Sequence, residues 1–515
     1  MTFRVMLVNP PVFRIEEPWY DTPPYARTGL AYLAGYLRQY PGFEIKILDC
    51  KFEMLNFEQA YEKILEFKPN ILGLGAMTNE IKPAAYLAKM VKDKLPATIT
   101  VIGGVHVTAL PEITLQEFTQ FDVGVIGEGE ITFYELCTAV RDGKPLNNIK
   151  GLSLRNGNEI EVTPPRDRIL NQDSIPFPAW DLLPMADDYV VMTLRGCPFN
   201  CVFCMNPNGR VARKRSVDNV IEELEMLIEK FHPSSISFGD ELFSIDMERS
   251  KELLTAMIEH NIHKHITWWA QTHVRFVDYD MFVLMKKANV AAIGLGIETG
   301  DEEKLKGMGK GTSLKMIMEA RIAARKAKVP IQAFFILGQP NESVESIKKT
   351  VDTAVKLNPD LPVFGIMTPY PGTEVSRLAA LGQAGYNLVT TDWDEFNKQI
   401  GGALEFANLS RSQIEKMQIM AYVKVYLNNH RYIDFIKFLW HYKAGAWSVF
   451  RKLIGMRQKS MYSYVEDTIK RKNTVEKGKK EIAAAAEVWQ KWQTSELNRA
   501  KKVDHNLIKI KHKDQ

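Results

Sequence analysis

The chain has 515 residues, 45% of them hydrophobic and 25% charged, an ordinary composition for a globular protein and a length too great for one core. Its 66 basic residues against 62 acidic ones leave a formal net charge of +4, too small to argue for a nucleic-acid partner. No window holds the roughly 18 uninterrupted apolar residues of a membrane span, and Met1–Val5 enters a strand-like run at once, so no signal peptide is expected and the cytoplasm is the expected location. Over residues 1–142, short apolar runs alternate with helix-period segments. Strands are predicted at Arg4–Asn9, Glu44–Asp49, Asn70–Ala76, Thr98–Gly103 and Asp122–Gly127. Helices are predicted around Leu30–Tyr40, Phe57–Phe67, Ala84–Leu95, Pro111–Thr119 and Ile131–Arg141. This alternation predicts an α/β domain, a flavodoxin- or Rossmann-like parallel sheet with helices on both faces. Ligands of such sheets sit at the carboxyl ends of the strands, where Gly103, Gly104, Gly127 and Gly129 fall.

A nicotinamide fingerprint would need G-x-G-x-x-G after the first strand. That strand ends instead in Val8-Asn9-Pro10-Pro11, and both Gly73-Leu74-Gly75 and Gly127-Glu128-Gly129 lack the third glycine. The runs Val101-Ile102-Gly103-Gly104-Val105-His106-Val107-Thr108 and Asp122–Glu130 resemble the cobalamin-binding domain of the B12-dependent radical SAM enzymes, and the resemblance continues into the next domain. It implies cobalamin as a cofactor, with Gly103, Gly104, His106, Gly127 and Glu128 as the residues at its site. The cobalt-ligating D-x-H-x-x-G motif is absent and no His precedes His106, so the expected corrinoid is base-off and His-off, its nucleotide tail in the sheet. A His just past a Gly-Gly bend is more often a hydrogen-bonding or capping residue than a metal ligand.

Residues 143–187 read as a Pro-rich linker, with Pro145, Pro164, Pro165, Pro176, Pro178 and Pro184. Inside it, Gly151–Leu154 and Glu159–Thr163 flank Asn156-Gly157 as a small hairpin. The run Ile175–Pro184 resembles the approach to the cluster in the same family. Packing is the expected role of Phe177 and Trp180.

Over residues 188–400, strands predicted at Tyr189–Leu194, Ser234–Phe238, Ile266–Gln271, Ala291–Ile297, Ile331–Ile336 and Leu361–Met367 alternate with helices at about Val217–Lys230, Met247–His260, Asp278–Lys287, Leu314–Lys326 and Val344–Leu357. Six such units predict a partial (β/α)6 barrel of TIM type, with chemistry at the carboxyl ends of its strands. Directly after the first strand comes Arg195-Gly196-Cys197-Pro198-Phe199-Asn200-Cys201-Val202-Phe203-Cys204. Three cysteines at this spacing can hold three irons of a [4Fe–4S] cluster, leaving one iron open. Zinc would need a fourth ligand at suitable spacing, and a ferredoxin a fourth Cys followed by Pro; neither occurs. A disulfide staple is implausible with five Cys and no secretory signal, and Cys50 and Cys137 read as inert core thiols.

The segment resembles the cluster motif of the radical S-adenosylmethionine enzymes, whose open iron binds S-adenosylmethionine. By that resemblance Cys197, Cys201 and Cys204 hold the cluster. Phe203 takes the aromatic position near the adenine. Asp240 and Glu241, in Gly239-Asp240-Glu241, fall where the family contacts the methionyl end. Glu298, in Gly296–Gly300, is a candidate for the ribose or methionyl group. Phe334–Pro340 falls where family members line the adenine, and Pro369-Tyr370-Pro371-Gly372-Thr373-Glu374 resembles a recurrent family motif. For each acidic residue a helix cap or surface ion pair is the plainer alternative.

Residues 401–515 are helical in pattern. Arg431–Ser460 carries Trp440 and Trp447 and seven Lys/Arg against one acidic residue. It reads as a cap on the barrel with a wet basic face, as a substrate cover, or as a peripheral membrane contact. A further helix is expected at Glu481–Thr494, with solvated Lys-rich stretches at Asn473–Lys480 and after Lys501.

The resemblance implies an oxygen-sensitive enzyme using a [4Fe–4S] cluster, S-adenosylmethionine and cobalamin, fed by a reducing partner such as flavodoxin or ferredoxin. Methyl transfer to an unactivated carbon of a small or lipid-like substrate is the leading expectation: a 5′-deoxyadenosyl radical takes a substrate hydrogen, and the substrate radical takes a methyl group from methylcobalamin. A non-methylating cyclase or rearrangement enzyme is the alternative. A sensor without turnover is disfavoured, because it needs no S-adenosylmethionine pocket. Substituting Cys201→Ala should abolish both cluster incorporation and all S-adenosylmethionine cleavage, read as iron content and 5′-deoxyadenosine; retained cleavage would defeat the assignment of this loop.

Overall fold

The computed structural model of the protein describes residues 2–13, 25–397, 402–441, 475–500 and 507–508. The chain divides into two compact units, Met1–Ile169 with Ile175–Met185 and Ile436–Glu481, and Leu170–Ser174 with Ala186–Phe435 and Ile482–Gln515.

In the first unit, β1 (Phe3–Asn9), β2 (Phe43–Asp49), β3 (Ile71–Gly75), β4 (Ile99–Gly103) and β5 (Val123–Val125) form a parallel sheet in the order β2-β1-β3-β4-β5. Asn9 stands opposite Asp49, and Val8 opposite Leu74. The strands bury Val5, Leu7, Ile71, Val101 and Val123 against Leu30, Ala34 and Leu37 of the helix Thr28–Leu37 and against Phe133, Leu136 and Cys137 of the helix Glu130–Arg141. Cys50 and Cys137 are wholly buried, as expected of core thiols.

The stretch read as linker differs. Its hairpin, β6 (Leu152–Asn156) and β7 (Glu159–Val162), extends this sheet on the β5 edge with antiparallel pairing. Leu152 and Leu154 join the core, and Gly124 lets β6 lie close, since a Cβ there would strike the Ser153 hydroxyl. The Pro-rich part lies along the helix Thr28–Leu37, where the Ala179 N–H donates to the Ala31 carbonyl at 2.9 Å and Trp180 is buried.

In the second unit, β8 (Asp188–Val191) is followed by the short β9 (Leu194–Arg195) and β10 (Ala212–Lys214), which pair antiparallel. Then β11 (Ser235–Phe238), β12 (Thr267–Thr272), β13 (Val290–Glu298), β14 (Ile331–Leu337) and β15 (Leu361–Ile366) complete a six-stranded parallel sheet in the order β15-β14-β13-β12-β11-β8. The intervening helices Val217–Phe231, Met247–Glu259, Tyr279–Lys287, Leu314–Lys326 and Val344–Leu357 each start where the sequence supplies an N-cap. The side chains of Ser216, Asp246, Asp278, Ser313 and Ser343 accept the N–H three residues on.

Beyond the last barrel strand, β16 (Tyr386–Leu388) and β17 (Leu404–Phe406) form an antiparallel pair, and β18 (Leu507–Ile508) pairs with β10. The helix Arg411–Leu427 covers the edge strand β15: Phe364 donates its N–H to the Tyr422 hydroxyl at 2.9 Å, and Gln418 donates to the Phe364 carbonyl at 2.7 Å. The helices Tyr432–His441 and Val475–Ala500 follow, the latter longer than expected at both ends. The rest of the basic aromatic stretch up to Ser460, and the tail after Lys501 apart from β18, lie outside the described residues.

A buried ionic chain braces the start of the barrel. Glu223 is fully buried and pairs with Arg215 at 2.5 Å. Arg215 donates to the Met192 carbonyl at 2.8 Å, and Arg249 donates to the Arg215 carbonyl at 3.0 Å and the Thr193 carbonyl at 3.2 Å. Removing one partner of a buried pair leaves the other charge desolvated. Glu223→Ala should therefore lower unfolding stability by about 3–5 kcal/mol, measurable as a shifted urea midpoint; a change below about 1 kcal/mol would show that water reaches Arg215.

Candidate functional site

The cysteine loop leaves the barrel at the carboxyl end of β8, and the residues ending β11 determine its course. Asp240 is completely buried. Its carboxylate accepts the Thr193 N–H and hydroxyl, both at 2.6 Å, and the Leu194 N–H at 3.1 Å. Burial pushes this acid up to about 6, against the pull of those hydrogen bonds and of Arg249. Both oxygens of Asp240, expected to contact a methionyl group, take hydrogen bonds inside the protein that hold the strand leading to the loop. Glu241, beside it, accepts the Gly196 N–H at 3.1 Å and the Asn208 amide at 2.5 Å, and so ties together the two ends of the loop.

Within the loop, the Cys197 N–H donates to the Gly209 carbonyl at 3.0 Å and the Cys204 N–H to the Cys201 carbonyl at 3.0 Å, while the Asn206 side-chain amide donates to the Cys197 carbonyl. Cys197 and Phe199 pack against Leu194, Ala212, Leu242 and Ile245. Cys197 and Cys201 are half-buried, Cys204 opens to solvent, and Phe203 is half-buried between them in sequence. Desolvation raises the Cys197 and Cys201 thiols, Cys201 to about 12. Each of the three feels at least one of the others electrostatically. Among the described residues no three Cys, His, Asp or Glu side chains converge on a single-ion site.

Two residues that sequence reasoning missed complete the site. Lys310 pairs with Glu298, both side chains 8% exposed, and donates to the Gly296 carbonyl at 2.7 Å. Its charge lowers the Cys201 and Cys204 thiols, against the raising effect of Glu298. The register of β13 against β14 slips between Gly296 and Glu298, and Glu298 itself has φ +65°. Such a bulge re-aims a side chain. Gly296 leaves room there: a Cβ would meet the Lys310 ammonium and the Glu298 carboxylate, which would have to shift. Gly309-Lys310-Gly311, a lysine between two positive-φ glycines, was the available sequence signal.

His273, wholly buried after β12, stacks on Phe199 with ring centroids 4.7 Å apart and planes 12° from parallel. Its Nδ1 accepts the Arg275 N–H at 3.0 Å, and its Nε2 stands 3.0 Å from the Lys310 carbonyl. A carbonyl only accepts, so Nε2 carries the proton and the ring is neutral. Burial, reinforced by Lys310, depresses its pKa to about 3.

At the carboxyl edge of the first unit's sheet, the glycines divide into two kinds. A Cβ at Gly103 would meet only the Leu74 carbonyl, at 3.9 Å, and at Gly127 (φ +78°) nothing within 4 Å. These two leave open space where a large ligand of such a sheet belongs. Gly104 (φ +109°) instead packs on the Ala76 backbone, and a Cβ would collide with it. His106 is fully buried in the short helix Val105–Ala109, and Glu128 accepts the Ile169 N–H at 3.1 Å. Gly103 and Gly127 therefore fit a corrinoid site.

Comparison with known proteins agrees with both halves. A Radical SAM superfamily domain matches residues 191–354 and a B12 binding domain matches residues 22–137. An uncharacterized methyltransferase of Pyrococcus horikoshii is 35% identical over 436 residues, 82% of this chain and 92% of that protein. The chain belongs to the cobalamin-dependent radical SAM enzymes. Its cofactors are those of the two modules: a [4Fe–4S] cluster, S-adenosylmethionine and cobalamin. The anaerobic magnesium-protoporphyrin IX monomethyl ester cyclase of Cereibacter sphaeroides is 28% identical over 70% of this chain and 62% of its own length. In fold, the chain resembles the radical S-adenosylmethionine methyltransferase TsrM from Kitasatospora setae, with TM-score 0.66 at 18% identity over 83% of this chain and 89% of that one. It also resembles the cobalamin-dependent enzyme OxsB, with TM-score 0.67 at 17% identity over 97% and 80%. Among the described residues no helix is long and apolar enough to cross a membrane.

The neutral state of His273 has a pH consequence. Between pH 6.5 and about 3 the unfolded chain binds a proton at this ring that the folded protein refuses. Folding stability should fall as pH drops through that window, by up to about 1.4 kcal/mol per pH unit from this group alone. His273→Gln should remove this share of the slope in denaturation curves taken between pH 7.5 and 4.5; equal slopes in the two proteins would contradict the buried neutral ring.

Proposed function

We propose that the protein methylates an unactivated carbon of a small or lipid-like substrate in the cytoplasm, drawing electrons from a flavodoxin- or ferredoxin-like partner. The observation that carries this reading is a three-thiol loop braced by Asp240 and Glu241, in a chain 35% identical, over 82% of its length, to a relative named as a methyltransferase. Cys197, Cys201 and Cys204 supply three thiolates and no fourth, which leaves one iron position for S-adenosylmethionine. The cluster with S-adenosylmethionine supplies a carbon radical when bound, and cobalamin supplies the methyl carrier.

The chain's own residues position and exclude. In this reading Glu298, held by Lys310, takes the ribose or methionyl group, and Phe203 faces the adenine. Glu241 and Asp240 act through the loop rather than on the ligand. His273 supports Phe199 from behind and, being neutral, adds no charge next to the cluster loop. Gly103 and Gly127 leave the room a corrinoid needs above the first sheet. Likeness to the cyclase of Cereibacter sphaeroides supports a second reading, an oxidative cyclisation that uses the same cofactors without net methylation.

The test is anaerobic reconstitution with iron, sulfide and hydroxocobalamin, followed by S-adenosylmethionine and a strong reductant, with products quantified by mass spectrometry. Both 5′-deoxyadenosine and S-adenosylhomocysteine, with corrinoid bound, are the expected products. 5′-Deoxyadenosine alone, with corrin loading complete, would overturn methyl transfer in favour of the cyclase reading.

A further inference from the structure

We infer that the C-terminal helix Val475–Ala500 is a positioning element of the cysteine loop, holding the peptide after Cys204 in the orientation that iron ligation needs; this rests on the reading of Cys197, Cys201 and Cys204 as cluster ligands. Ile482, Ala486, Trp489 and Gln493 recur every three or four residues and are all buried, forming one stripe along the helix. An ordinary packing stripe would be apolar throughout. Gln493 breaks the pattern at 2% exposure, and a buried amide persists where its donors and acceptor are all used.

They are used on the cysteine loop. The Gln493 amide nitrogen donates to the Met205 and Asn206 carbonyls, each at 2.8 Å, and its oxygen accepts from Arg210 Nε at 3.1 Å. The Trp489 indole N–H donates to the same Met205 carbonyl at 2.8 Å. Arg210 donates in turn to the side chain of Asn200, the residue before Cys201. The helix therefore grips the loop on both sides of its last two cysteines.

The Met205 carbonyl is the one that matters. It belongs to the residue after Cys204, the cysteine most open to solvent. Two donors occupy both of its lone pairs. Freed, this peptide could turn its negative end toward a thiolate, where like partial charges repel and the sulfur is pulled off its ligand position. Asn206 beside it has φ +51°, a conformation that a few per cent of non-glycine residues adopt and that needs outside support.

The experiment uses the full-length protein reconstituted anaerobically with iron and sulfide. Trp489→Phe keeps the buried ring and removes only the N–H; Gln493→Leu keeps the volume and removes the amide. Iron release to bathophenanthroline under anaerobic conditions should run about fivefold or more faster in each, the factor that loss of one ordinary hydrogen bond implies, and the EPR signal of the dithionite-reduced cluster should broaden or shift. Val488→Ala, at an exposed site on the same helix, should match the wild type in both measurements. Iron release within twofold of wild type together with an unchanged EPR signal in both variants would overturn the positioning role. Failure of the wild-type protein itself to incorporate a cluster would instead overturn the reading of the cysteines. A variant that loses thermal stability as apoprotein but keeps the wild-type EPR signal would mark the helix as packing only, which also overturns the proposal.

Discussion

One buried carboxylate sets the geometry on which the site depends. Asp240 closes the end of β11 onto Thr193 and Leu194, two and three residues past the end of β8, and so fixes the point from which the cysteine loop starts. A carboxylate with no exposure is costly unless its oxygens are fully paired. Here three N–H and O–H donors and the nearby Arg249 meet it. Arg249 passes the constraint to Arg215, and Arg215 passes it to Glu223. The polar chain runs from a barrel helix to the strand before Cys197, so the loop rests on a braced scaffold rather than on its own turn geometry. Sites supported in this way keep their ligands within the narrow tolerances that metal and radical chemistry require.

Much of the fold was legible because local signals agreed. In the barrel, each predicted helix had Ser or Asp at its N-cap, and each predicted strand was a short run with turn residues behind it. The helix Val344–Leu357 matched to the residue because Ser343 caps it and Asn358 ends it in the left-handed region. The hairpin at Leu152–Val162 was recognised as a hairpin but given to the linker. Periodicity says that two strands pair with each other, and not which sheet they extend. That answer lay in Gly124, whose missing side chain admits β6 beside β5.

The site was legible in a different measure. The cysteines stood out because ligand spacing along a short loop is a covalent constraint, written directly in the sequence. Asp240 and Glu241 stand at the strand end where they were expected, and their hydrogen bonds to the start of the cysteine loop were not read, since an acidic residue there reads alike whether it faces a ligand or the N–H groups of the next loop. His273 and Lys310 were invisible for another reason: their contact joins residues 37 apart, and no local pattern encodes it. Gly103 and Gly104 make the same point at the first sheet. Adjacent in sequence, they differ in what a Cβ would meet, open space in one case and the Ala76 backbone in the other. Only the structure separates a glycine needed by the fold from one that leaves room for a ligand.

Glu298 shows how stability has been exchanged for placement. A non-glycine residue in the left-handed region costs about 1–2 kcal/mol, and the slipped register of β13 on β14 gives up ladder hydrogen bonds as well. A regular strand would have avoided both costs by continuing its alternation, but the carboxylate would then be aimed elsewhere. The bulge instead brings Glu298 onto Lys310, with Gly296 bare to admit the pair, and near enough to Cys201 and Cys204 to affect both thiols. Desolvated ion pairs contribute little net stability, so the pairing does not repay the strain by itself. A strained backbone, a bare glycine and a buried opposite charge meeting beside the cysteine loop are best understood together, as the expense of keeping one acid fixed next to that loop.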